Sequence, residues 1–144
     1  MKRAAIHKIV TSVLTAALLA ACGSSDGDGS GDNPPAVLAP TLASIQDNVF
    51  TPSCAKAGCH SGATPRAGMN LEGGNSWASL YNVVGTGDKT KTRVVPSDPD
   101  DSLLIMKLEG TQTVGLRMPR DGPPYLPKET IDVIRQWIAD GAMP

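Results

Sequence analysis

Apolar residues recur along this chain in four short stretches at helical spacing, and the segments between them are rich in glycine, proline and polar residues. In the first stretch, Leu42, Ile45, Val49 and Phe50 fall on one side of a helix over 42–50. Pro52 is expected to end or bend it, because proline lacks the N–H that a continuing helix needs. The second covers 76–84, with Ser76 placed to cap it and Trp77, Leu80 and Tyr81 on one side. The third covers 98–108. It sets Asp98, Asp100 and Asp101 at the positive end of the helix, ahead of Leu103, Leu104, Ile105 and Leu108, and Glu109-Gly110 closes it. The fourth runs from Pro127 to Asp140, with proline and Glu129 suited to its first turn and Gly141 to its termination. Its stripe is Ile131, Ile134 and Ile138, flanked by Val133 and Trp137. Between the third and fourth patterns, residues 110–126 hold Pro119, Pro123 and Pro124 and are expected to be loop. No alternating strand pattern and no internal repeat is present, so the pattern predicts an all-α domain with long connections.

The N-terminal residues change this picture only by subtraction. Lys2, Arg3 and Lys8 precede an uncharged run over 9–20 that is too short for a comfortable membrane span and has the form of an export signal. Leu19-Ala20-Ala21-Cys22 resembles the bacterial lipobox, which implies a lipoprotein signal peptide over 1–21 and a lipid on Cys22. The other reading is an ordinary signal peptide with a chance cysteine. Residues 22–40 are nearly all Gly, Ser, Asp, Asn, Pro and Ala and cannot bury enough apolar surface to offset the entropy of ordering. They are expected to be a disordered tether. Its 18 residues from Gly23 to Pro40 would reach roughly 60 Å fully stretched and roughly 25 Å as a coil. The domain is then 41–144.

Removing residues 1–21 takes away three of the 13 basic residues and none of the 14 acidic ones, leaving a net charge of −4. No long basic run remains, so nothing points to nucleic acid. A mildly acidic surface weakly favours a basic partner. The aromatic content is thin, only Phe50, Trp77, Tyr81, Tyr125 and Trp137, and a large apolar cofactor would help to explain how so small a core suffices.

The candidate chemistry lies in Cys54-Ala55-Lys56-Ala57-Gly58-Cys59-His60. Covalent haem attachment requires two thiols that reach two vinyl groups and an imidazole directly after the second thiol, usually as C-x-x-C-H. Four residues separate the cysteines here, so the extra residues must loop outward, and Gly58 eases that turn. If Cys22 is lipidated, Cys54 and Cys59 are the remaining pair, and His60 is the one histidine besides His7. A Cys54–Cys59 disulfide in an oxidising compartment is the alternative. A structural zinc site would need ligands that the mature chain lacks.

The segments Ile45–Cys54, Ala57–Gly62, Ala67–Leu71, Arg93–Asp100, Arg117-Met118-Pro119 and Ile131–Ile138 resemble, in that order, bacterial monohaem cytochrome c domains of the planctomycete type, which tolerate C-x4-C-H. The resemblance implies a cytochrome c-like fold: helices around one covalent haem c, with the first and last crossing and Val49 and Trp137 packed at the crossing. It implies thioethers at Cys54 and Cys59, His60 as proximal iron ligand and Met118 as distal ligand. The residues themselves agree with that choice of methionine. Met106 sits in a helical pattern as core filler, Met143 is nearly terminal, and Pro119 holds Met118 extended in a loop, while Met69 occupies a position where the resembling family commonly has an aliphatic residue, which implies packing. Met118 covering apolar surface is the plainer reading. The second nitrogen of His60 is expected to bond a carbonyl near Thr64-Pro65. Arg117, Arg120, Trp77 and Tyr125 are candidates for propionate contacts, each also readable as surface or packing.

The function so implied is one-electron transfer at the bacterial cell envelope, with a redox partner that the sequence does not name. The lipid on Cys22 would tie the protein to a membrane, and Gly23 after it points to the outer membrane, facing the periplasm. With its one mature histidine assigned to iron, the chain has no Ser-His-Asp or Cys-His set and is not expected to be an enzyme. The alternatives are a sensor or weak peroxidase with open iron, and a haem-free lipoprotein.

Overall fold

The computed structural model describes residues 37–144. The signal peptide over 1–21, Cys22 and the tether as far as residue 36 lie outside the described residues. Leu38 already packs against the core, and the Ala39 amide donates to Ser44 Oγ at 3.0 Å. Helix α1, Leu42–Ile45, is capped by the Thr41 hydroxyl, which accepts from the Ser44 amide. It runs without a break into a wider π-helical stretch, Gln46–Cys54. The helix therefore neither ends nor breaks at Pro52. The missing N–H is accommodated in a wider coil, which closes where the Ala55 amide bonds the Phe50 carbonyl five residues back. That extension puts Cys54 on the last position of a helix rather than in a free loop.

Helix α2 is Ser76–Leu80, shorter than the pattern predicts. Ser76 does not cap it. Its buried hydroxyl donates to Gln46 Oε1 at 2.6 Å, while Gln46 Nε2 donates to the Leu71 carbonyl at 2.9 Å. This buried polar link ties the first helix to the segment before α2. The chain leaves the helix at Tyr81 because Asn82, at φ 54°, turns it back to pair with the extended residues around Val94.

Helix α3 is Leu103–Glu109 and starts five residues later than expected. Asp98 instead closes a turn: its carboxylate accepts from the Asp101 amide, and its carbonyl from the buried Ser102 hydroxyl. The Leu103 and Leu104 amides, otherwise orphaned at a helix start, bond the Thr92 and Arg93 carbonyls. Gly110 ends the helix in the left-handed region at φ 82°. Helix α4, Lys128–Ala139, lies within the predicted span, with Pro127 just before its first turn.

Among the described residues the domain is all-α, with isolated β-bridges but no sheet, and residues 110–126 form a loop. One buried cluster unites Ile45, Val49 and Phe50 with Leu71, Leu80, Val94, Ile105 and Leu108 and with the α4 face, Ile131, Ile134, Trp137 and Ile138. Val49 and Trp137 thus share one core. Arg135 braces α3 against α4: its Nε and Nη2 grip the Glu109 carboxylate at 2.7 and 3.1 Å, and its Nη1 donates to Asp100 at 2.6 Å. Among the described residues no helix is long and apolar enough to cross a membrane.

Candidate functional site

The segment from Cys54 to His60 closes on itself. The His60 amide donates to the Cys54 carbonyl at 3.2 Å and the Cys59 amide to the Lys56 carbonyl at 2.9 Å. The residues between them point into solvent, with Lys56, Ala57, Gly58 and Cys59 all exposed and Gly58 at φ 74°. The longer spacing is thus accommodated as the outward loop expected of it, with glycine where the backbone turns left-handed. Cys54, on the helix end, is half-buried and packs against the core, and the two thiols are not bridged. Burial pushes the Cys54 thiol up to about 11, against a smaller opposite pull from the Lys56 charge.

His60 is held from the far side of its ring. Nδ1 lies 3.2 Å from the Arg66 carbonyl and 3.3 Å from the Met69 carbonyl. The acceptor expected near Thr64-Pro65 is the Arg66 carbonyl, directly after Pro65, and the tight turn of residues 66–69 brings the Met69 carbonyl to the ring as a second one. Both partners are acceptors, so Nδ1 must be the donor, and Nε2 keeps its lone pair. Burial lowers the His60 pKa from its ordinary value, and the nearby charges of Arg93 and Arg66 act in the same direction, while the two carbonyl bonds oppose them. The imidazole is therefore favoured in the neutral, metal-ligating form at neutral pH.

Met118 lies in the loop after α3. Its amide bonds the Lys107 carbonyl at 2.8 Å, and its half-buried side chain packs against the same core as Cys54. Lys56, between the two cysteines, reaches Asp121, three residues beyond Met118, at 3.8 Å. The fold thus brings the Met118 loop beside the cysteine loop. Met69 packs on the core as expected, and Met143 is 65 % exposed. Met106 is only half-buried and lies outside the packed cluster, so it is not the core filler its helical position suggested.

The four proposed propionate contacts fare unevenly. The Trp77 indole N–H is already spent on the Ala142 carbonyl at 2.8 Å, and the ring stacks on Tyr81. Arg117 donates from Nε to the Leu108 carbonyl and lies 4.1 Å above the Tyr125 ring. Both Trp77 and Tyr125 therefore act here as packing partners, while Arg120 is exposed.

One residue not among the sequence-predicted site residues stands next to this site. Arg93, only 7 % exposed, carries its guanidinium into the domain without a carboxylate partner among the described residues. Burial lowers its pKa from the ordinary value. It bonds the Ala67, Gly68 and Ser79 carbonyls and Thr86 Oγ1. An arginine opening the apolar run Arg93-Val94-Val95 gave no hint of that role.

Two cavities lie elsewhere. One of about 140 Å³ is bounded by Pro40–Leu42, Trp137, Asp140, Met143 and Pro144. The other, of about 250 Å³, is bounded by Glu109, Arg117, Leu126, Lys128 and Ile131. Among the described residues no three His, Cys, Asp or Glu side chains cluster as an all-protein metal cage. Two thiols and one imidazole on this segment would instead suit a group that brings most of its own metal ligands, the thiols as covalent attachment points and the imidazole as a metal ligand. No family model, no curated protein and no solved structure matches this chain.

Proposed function

We propose that the domain is a monohaem c-type cytochrome with a cytochrome c-like fold, which carries single electrons at the bacterial cell envelope. The observation that carries this reading is the arrangement around His60: Nδ1 donates to two carbonyls, Nε2 is left as a ligand, and two unbridged thiols flank the same short loop, Cys54 at the helix end before it and Cys59 beside His60. Cys54 and Cys59 would hold haem c as thioethers, and His60 would be the proximal iron ligand. Met118 is the candidate distal ligand, because its loop lies beside that of the cysteines. The bound group would supply one-electron iron chemistry, and a His/Met pair would raise its potential.

The chain's own part is positional. The half-buried helix end fixes Cys54, the outward loop sets Cys59 and His60 relative to it, and the 66–69 turn fixes the ring. Ligands fixed in this way would keep reorganisation small in one-electron transfer. In this reading the protein is a carrier rather than an enzyme. It is anchored through a lipid on Cys22 at the outer membrane and meets its redox partner in the periplasm.

The deciding experiment is expression with a cytochrome c maturation system, followed by acid-acetone extraction and intact mass. Haem should remain with the denatured chain, and the reduced protein should show sharp low-spin bands. A mass equal to the polypeptide less two hydrogens would establish the Cys54–Cys59 disulfide and end the cytochrome reading.

A further inference from the structure

The turn that holds His60 is itself held from behind. Ala67 has φ 57° and ψ 20°, a left-handed conformation that a residue with a Cβ adopts only under constraint, and Gly68 follows at φ 58°. These two residues lie between Arg66 and Met69, whose carbonyls accept from His60 Nδ1. The constraint is visible. Arg93 Nη2 donates to the Ala67 carbonyl at 2.6 Å and to Thr86 Oγ1 at 3.0 Å, and the Thr86 hydroxyl donates to the same Ala67 carbonyl at 2.7 Å. Arg93 Nη1 reaches the Ser79 carbonyl at 2.7 Å and the Gly68 carbonyl at 3.4 Å. A buried guanidinium is costly to place and is retained where its several donors are all used. Here two bonds reach the backbone of one turn, at Ala67 and Gly68, a third goes to the Thr86 hydroxyl that bonds the same turn, and a fourth anchors the guanidinium to Ser79 in α2.

We infer that Arg93 and Thr86 form a clamp that locks the 66–69 turn and so positions the His60 imidazole as an Nδ1 donor with Nε2 directed outward as a ligand. Arg93 is thus a positioning residue, acting through the backbone rather than touching iron. The inference rests on the cytochrome reading for its purpose, since a ring held this way serves a metal. The clamp itself can be read without haem.

The test compares the parent with Arg93→Met, Arg93→Lys and Thr86→Val, using protein labelled with ¹⁵N in histidine and purified as it is made. Absorption first establishes whether the parent carries haem, which judges the cytochrome reading separately. In the reduced haem-loaded protein, the His60 Nδ1–H should exchange slowly, and in Arg93→Met about tenfold faster or more. The reduction potential should rise, because a ring released from its carbonyls donates less to the iron. In protein isolated without haem, the long-range ¹H–¹⁵N pattern should show the proton on Nδ1 in the parent and a mixture of tautomers in Arg93→Met. Arg93→Lys keeps the charge but not the fork and should recover the parent behaviour only in part. Where Arg93→Met fails to fold, Thr86→Val decides, since it removes one donor from an exposed position and should shift the same signals in the same direction. Adding Ala67→Gly, which relieves the left-handed alanine, should return part of the stability lost in Arg93→Met. A folded Arg93→Met or Thr86→Val protein of lower melting temperature but unchanged Nδ1–H exchange or tautomer would overturn the inference and leave Arg93 a structural residue alone.

Discussion

At the scale of single residues, the methionines separate two jobs that a thioether can do. Met118 has its backbone pinned to Lys107 and its side chain half-buried beside the cysteine loop, so Met118→Ala should open the sixth iron position. Its potential should fall, and carbon monoxide should bind the reduced variant readily and the parent poorly. Unchanged carbon monoxide binding and potential would dismiss Met118 as a ligand. Met106→Ala should leave those spectra alone and cost less than the roughly 2–5 kcal/mol of a fully buried methionine, because Met106 is half-buried outside the cluster. Cys54 yields a pH dependence in haem-free protein. Its folded-state value of about 11 stands above the ordinary 9.0, so the fold favours the thiol. That contribution is intact below pH 9 and is lost as pH rises toward 11. Alkylation should accordingly reach exposed Cys59 first, and Cys54 labelling should climb about tenfold per pH unit until near its own value. Equal labelling of the two at pH 8 would contradict the burial of Cys54. The candidate site was legible at this scale where it is local in sequence: two thiols, one adjacent imidazole and a proline after methionine. The Met69 carbonyl was not, because the second backbone oxygen that meets the ring depends on a turn whose conformation is imposed by Arg93, 26 residues away from Ala67.

At the scale of elements, local pattern and tertiary context divide the credit. Helix α4 was readable because its apolar stripe is long and both ends carry their stop signals. The shorter helices differ from their patterns where a distant partner claims a local group. Ser76 gave its hydroxyl to Gln46 rather than to its own helix. The amides that open α3 went to the extended residues Thr92 and Arg93, which set the start of that helix after the aspartates. Pro52 was absorbed because a wider helix has a place for a residue without N–H, a solution that a period of 3.6 does not anticipate. The contact between α3 and α4 carries a prediction of its own. Arg135 is about one-quarter exposed and grips Glu109 with two parallel bonds, whereas its second partner Asp100 is 85 % exposed. Arg135→Met should therefore cost only about 1 kcal/mol, and less in high salt. A denaturant titration at two ionic strengths checks both the size and the sign of the salt effect.

At the scale of the whole molecule, the all-α class followed from the helical periodicities and the absence of alternating strands. The long connections followed from their prolines and glycines. How the segments wrap into one core was not readable from spacing, since Gln46, Leu71 and Ser76 meet only in the fold. The proposal of a tethered carrier is tested on the full chain: Cys22→Ser should move the protein from the membrane fraction to the soluble one, and unchanged acylation would refute the lipobox. The C-terminal corner has a practical consequence for every stability measurement named above. Both tryptophans of the chain donate their indole N–H to neighbouring carbonyls there, Trp77 to Ala142 and Trp137 to Met143, each at 2.8 Å. In haem-free protein, tryptophan fluorescence therefore reports on a single corner instead of averaging over the molecule. If it changes at the same denaturant concentration as the helical circular dichroism, the corner and the core melt as one unit. If it changes earlier, the last three residues are peeling away while the helices stand.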